Sequence, residues 1–163
     1  MPTYGMIADI KGATPKDKLI VSRQPRSPIA EAYRVIRSNI DLAKPDGEIK
    51  TLVVTSSSPA EGKTVTTANL AATMAQAGKR VILVDADLRR PTMHKIFNLS
   101  NSRGVTTAIT MGRERGDSIS DHLSRTSVDN LYLMPSGPLP PNPADILGSE
   151  DMIRMIQELR EIA

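Results

Sequence analysis

Two short polar runs carry the chemistry that this sequence offers. The first is Ser57-Ser58-Pro59-Ala60-Glu61-Gly62-Lys63-Thr64, which fits G-x-x-x-x-G-K-[ST] at all but its first position. That pattern binds phosphate for physical reasons. Successive backbone N–H groups and a helix N-terminus surround an anion with partial positive charge. Gly62 lets the backbone approach closely, and Lys63 is a point charge for β- and γ-phosphates. The Thr64 hydroxyl can join a Mg²⁺ shell. Ser58, Pro59, Ala60, Glu61, Gly62, Lys63, Thr64 and Val65 are therefore the expected nucleotide contacts. Ser57 replaces the first glycine, and the loop closes provided position 57 needs no positive φ.

The second run is VILVDADLRRP, with Asp85 and Asp87 at the end of an apolar stretch. Two carboxylates this close repel each other, so a cation between or beside them is the natural complement. One could hold Mg²⁺ while the other accepts a proton from an attacking hydroxyl. The sequence does not divide these roles. A plainer reading makes residues 57–64 an ordinary turn with a solvated Lys63. Asp85 then closes a strand and Asp87 opens a helix, with Arg89 and Arg90 as solvated partners. The context weighs against it, because the loop motif needs a strand entering and a helix leaving, and both are expected here. Perturbed carboxylates also cluster at functional sites.

The surrounding pattern supplies the elements that would position these residues. Residues 50–56, KTLVVTS, read as a buried strand, and residues 62–77 as a helix with Val65, Ala68, Ala72 and Ala75 on one stripe. Gly78 is its expected stop. Residues 80–87 and 130–137 read as two further strands. Short helices are expected at PTMHKIFN and GVTTAITMG. Pro28 opens an earlier helix with Ala32, Val35, Ile36 and Ile40 inward, ended by Pro45-Asp46-Gly47. The chain closes with helical pieces in which Ser149 caps and Ile153, Ile156 and Leu159 keep the spacing. Residues 1–28 read as an extended arm, with a short strand expected at Leu19-Ile20-Val21. Alternating strands and helices imply an α/β fold: a parallel sheet with helices on both faces and ligands at the carboxyl ends of its strands.

Composition narrows the classes. A chain of 163 residues suits one domain, and with 2% aromatic residues its core must be aliphatic. One Phe, three Tyr and no Trp leave no stacking platform, so nucleic acid is not an expected partner. A net charge of +3 is too modest to define one. The absence of cysteine excludes disulfides and zinc–thiolate sites and fits a reducing compartment. No apolar run reaches the ~18 residues of a membrane span. Asp9 and Lys11 interrupt the N-terminal apolar stretch, unlike a signal peptide.

In combination these pieces resemble the bacterial tyrosine kinases, cytoplasmic partners of polysaccharide co-polymerases in capsule and exopolysaccharide assembly. The resemblance is carried by SPIAEAYRVIRSNI (27–40), TSSSPAEGKT (55–64), ILVDADLRRP (82–91) and PSGPLPPNPADILGS (135–149). It implies a P-loop NTPase-like fold in which residues 29–163 are the N-terminal part of a kinase domain behind the arm at 1–28. It implies transfer of the ATP γ-phosphoryl group to tyrosine hydroxyls, mostly on neighbouring copies. Lys63, Asp85 and Asp87 would be catalytic, and Thr64, Asp85 and Asp87 would hold Mg²⁺. Glu31, Arg34 and Arg37 match the family's E-x-x-R-x-x-R helix and would form contacts in a homo-oligomeric ring. The location would be the inner face of the plasma membrane, beside or fused to a membrane-embedded co-polymerase. Two features depart from the family pattern. No apolar run ends in the acid of a Walker B strand, and the tyrosines are only Tyr4, Tyr33 and Tyr132, widely spaced. The chain therefore reads as ending before that strand, leaving the fold incomplete at its C-terminus. Two other readings stay open: a partition or septum-positioning ATPase, which would carry lysine near Ser58, and a non-catalytic nucleotide binder that regulates chain length.

Overall fold

The computed structural model describes residues 1–12, 14–44 and 47–163. After a 3₁₀ turn at Pro15–Lys18 come α1 (Ile20–Arg23), α2 (Pro28–Leu42), α3 (Lys63–Gln76) and β1 (Val81–Val84). Then follow α4 (Met93–Phe97), α5 (Val105–Thr110), α6 (Gly112–Arg115), a 3₁₀ turn at Ile119–His122 and β2 (Ser124–Arg125). The described chain closes with β3 (Leu131–Met134), α7 (Pro143–Leu147) and α8 (Glu150–Ile162).

The sheet has the order β1-β3-β2. β1 and β3 are parallel, with Val81 opposite Leu131 and Val84 opposite Met134. β2 is antiparallel to β3, so the sheet is mixed rather than wholly parallel. The two-residue, polar β2 has no alternation to reveal it in sequence. Side chains alternate across the sheet as the pleat requires. Leu83, Leu131 and Leu133 join a core with α1, α3 and α4. Ile82, Val84 and Met134 pack instead with α5 and α8 around Val105, Met155 and Leu159. Helices thus cover both faces.

α3 is the central helix. Ala68, Ala72 and Ala75 are buried on the expected stripe, with Val65 packed beside them. Its small residues let neighbouring elements come close. Gly78 ends it at φ +91°. The Gly78 and Lys79 amides close back on Ala75 and Met74 carbonyls, a Schellman arrangement that satisfies the last turn. Ser149 caps α8 as expected, its hydroxyl accepting the Met152 amide at 3.1 Å.

Several expectations are corrected. Leu19-Ile20-Val21 is not a strand: Ile20 and Val21 open the helical turn α1, and all three residues are buried in the core. Asn69 of α3 fixes this turn, accepting the Val21 amide at 3.1 Å and donating to the Lys18 carbonyl at 2.8 Å. On α2 the inward residues are Ala30 and Tyr33, whereas Val35 is 48% exposed. On α8 they are Met152, Met155 and Leu159, with Ile153 facing out. In both helices the apolar count was ambiguous, and the neighbouring elements chose the face. The turn Pro45-Asp46 lies outside the described residues.

The largest correction concerns residues 50–56. They form no strand, and Val53 is 82% exposed. β1 is paired only with β3 among the described residues. An apolar groove of about 210 Å³ separates its other edge from residues 49–54, floored by Leu70 and Met74 of α3. β-branched residues favour a strand only where a hydrogen-bonded neighbour completes the ladder, and here none adjoins them.

Candidate nucleotide-binding site

The site lies where α3 begins and β1 ends. The loop before α3 is exposed throughout and folds by alternating backbone handedness. Ala60 has φ +63° and Gly62 φ +85°, with Glu61 between them. Such alternation curls successive N–H groups into an anion-sized hollow. Gly62 is the N-cap residue of α3, and no side chain caps that end. The first amides of the helix thus face outward, where an anion would be stabilised. Ser57 is not among the positive-φ residues, so serine is compatible with the first position of the loop. The positive φ falls instead on Ala60, which no sequence pattern announced. A Cβ there carries a cost of about 1 kcal/mol.

The two aspartates are held differently. Asp85 is 5% exposed. One oxygen accepts the Asp87 amide and the other the Met93 amide, each at 3.2 Å. Burial pushes its carboxyl above the ordinary carboxylate range against these two hydrogen bonds. Asp85 thereby pins the turn after β1 to the start of α4. Asp87 sits further out. Its Oδ1 accepts the amides of Arg90 at 3.0 Å and Arg89 at 3.3 Å. Its Oδ2 lies 3.2 Å from Lys63 Nζ. The Arg90 amide, with further help from Lys63 and the Arg89 amide, holds Asp87 below its ordinary pKa despite some burial. Asp87 is therefore both the cap of a turn, rather than the start of a helix, and the partner of the loop lysine.

Lys63 and Asp87 are thus brought together across 24 positions of sequence. Thr64 stands beside Lys63 in the first turn of α3. Among the described residues, no three His, Asp or Glu side chains gather round one point. A Mg²⁺ ion here would find the Asp87 carboxylate and the Thr64 hydroxyl and would complete its shell with phosphate and water. Glu31, Arg34 and Arg37 belong to α2, and they are not part of this cluster. Arg34 pairs with Glu31 at 2.8 Å and also donates to the Pro25 carbonyl. These contacts set the arginine against the turn that precedes its own helix.

Residues 52–162 match the CobQ/CobB/MinD/ParA nucleotide binding domain. The chain belongs to that family. Lys63 and the outward amides of α3 lie within the matched residues. Among curated relatives, the tyrosine-protein kinase YwqD of Bacillus subtilis is 39% identical over 148 residues, covering 91% of this chain and 61% of YwqD. The tyrosine-protein kinase Etk of Escherichia coli is 30% identical over 133 residues, covering 82% of this chain and 18% of Etk. Among solved structures, the chimerical protein CapA2B2 superposes with a TM-score of 0.87 at 37% identity, covering 99% of this chain and 66% of that one. The chain therefore spans less than two thirds of each of these three. No helix among the described residues is long and apolar enough to cross a membrane.

Proposed function

We propose that this chain is the nucleotide-binding part of a protein-tyrosine autokinase that regulates capsular or exopolysaccharide assembly. The observation that carries this reading is the Lys63–Asp87 pair at the mouth of an uncapped helix, in a chain so similar to YwqD. ATP would lie with its phosphates on the amides of residues 58–65 and on Lys63. Lys63 neutralises charge that develops on the transferring phosphoryl group. Thr64 and Asp87 would hold Mg²⁺, which supplies charge neutralisation at the β- and γ-phosphates when bound. Asp87 is the better placed of the two aspartates to face the reacting groups. Asp85, at 5% exposure, acts through the turn it fixes between β1 and α4.

Glu31, Arg34 and Arg37 would serve contacts between copies in a ring, presenting tyrosines of one copy to the site of another. The location would be cytoplasmic, at the inner face of the plasma membrane, beside or fused to a membrane-embedded co-polymerase. Partition-type ATPases share the family, and Ser58 stands where they would carry lysine.

The test is a phosphotransfer assay. A chain extended to the length of YwqD is incubated with labelled ATP and Mg²⁺, and phosphotyrosine is scored. The label should appear and be lost in Lys63→Ala. Hydrolysis without phosphotyrosine would favour the ATPase reading, and label surviving in Lys63→Ala would sink the site assignment.

A further inference from the structure

One amide and one hydroxyl of the phosphate loop are engaged by a carboxylate of the same loop. Glu61 folds back onto Ser57 and Ser58. Its Oε2 accepts the Ser58 amide at 3.1 Å, and both its oxygens lie 3.2 Å from the Ser57 hydroxyl. Glu61 also directly precedes the N-cap of α3, where a negative group gains from the helix dipole. A carboxylate held by a loop amide and a loop hydroxyl, one residue before a helix N-terminus, stands near the surroundings that a phosphate would seek. Lys63, the other phosphate-seeking group, is meanwhile held by Asp87.

We infer that Glu61 is a built-in competitor for the anion site, an autoinhibitory contact that must leave the Ser58 amide before nucleotide phosphates are received. This rests on the reading of residues 57–64 as a nucleotide loop. The contact is exposed and so readily reversed, which suits a gate rather than a permanent plug. Glu61 sets a threshold that a triphosphate overcomes more easily than a ligand with fewer charges. Its effect must vanish for a ligand that has no phosphate.

Calorimetric titration with MgATP and with adenosine tests this in the chain and its Glu61→Gln, Glu61→Ala, Ser57→Ala and Lys63→Ala variants. Both Glu61 variants should tighten MgATP by about three- to tenfold, the span of one ordinary net hydrogen bond. Ser57→Ala, which loosens the clamp without changing charge, should tighten it by about twofold. Adenosine binding should not change. Unchanged or weaker MgATP binding in both Glu61 variants, with Lys63→Ala still costing affinity, would overturn the competitor role and leave the nucleotide reading intact. MgATP binding that is indifferent to Lys63→Ala would overturn both.

Discussion

The two walls of the site are built to different standards. The acidic wall is the end of β1, paired with β3 and covered by helices on both faces, and Asp85 is nearly sealed inside it. The phosphate wall is a wholly exposed loop, entered through residues 50–56 that pair with nothing in the sheet. Only the helix behind it, α3, is anchored. Asp87 and Lys63 therefore meet across the two walls, one in the turn after β1 and the other where the exposed loop joins α3. A loop with few buried contacts opens at low free-energy cost, and ligand-binding segments are commonly drawn from that end of the stability range. The acidic side supplies position, and the loop supplies adaptation to the ligand.

Breaking the fixed wall should have the largest effect. An added Cβ at Gly104 would overlap the carbonyl of Pro135 and crowd the Gly137 amide, both backbone groups that cannot turn aside. Gly104→Ala should cost about 3 kcal/mol or more in denaturant unfolding. Next is Asn69, fully buried and hydrogen-bonded to Val21, Lys18 and Val65. Asn69→Ala leaves two backbone groups unpaired near α1, at about 2–4 kcal/mol, and limited proteolysis should then cut within residues 15–23.

Two buried or half-buried histidines carry a pH dependence of stability. His122 is 3% exposed, with Nδ1 3.0 Å from the Thr107 hydroxyl and Nε2 3.4 Å from Asp117. Burial holds its pKa below the ordinary 6.5 in spite of Asp117, and His94 is shifted the same way by burial. The unfolded chain takes these protons first. The histidines' contribution to stability is thus complete above pH 6.5 and declines as the pH falls from there towards the lower folded values. Thermal melts should show this decline, and the His94→Gln/His122→Gln double variant should flatten it. The smallest effect belongs to the loop. Ala60→Gly relieves a left-handed alanine and should shift stability by no more than about 1 kcal/mol in the stabilising direction, read from the same melts.

The contrast also marks what the sequence could disclose. The turn after β1, the small-residue stripe of α3, the Gly78 stop and the Ser149 cap are local devices, so residue type and spacing reveal them. Residues 50–56 are strand-like in type, but a ladder is a relation between segments, and no single segment records whether its neighbour is there. β2 is too short and polar to carry a period. On α8 the choice of Met152 and Met155 over Ile153 was set by the packing against α5 and β3. Lys63 and Asp87 were legible one at a time, and their ion pair was not. The fold of Glu61 onto Ser58 follows from a left-handed alanine that no motif specifies.

Amide hydrogen exchange, with and without MgATP, tests the two-walled account most directly. In the free chain, residues 50–61 should exchange quickly while Val81–Val84 and Leu131–Met134 stay protected. MgATP should then protect residues 58–65 and leave the two strands unchanged. Equal protection of both walls in the free chain, or MgATP protection confined to the strands, would contradict it.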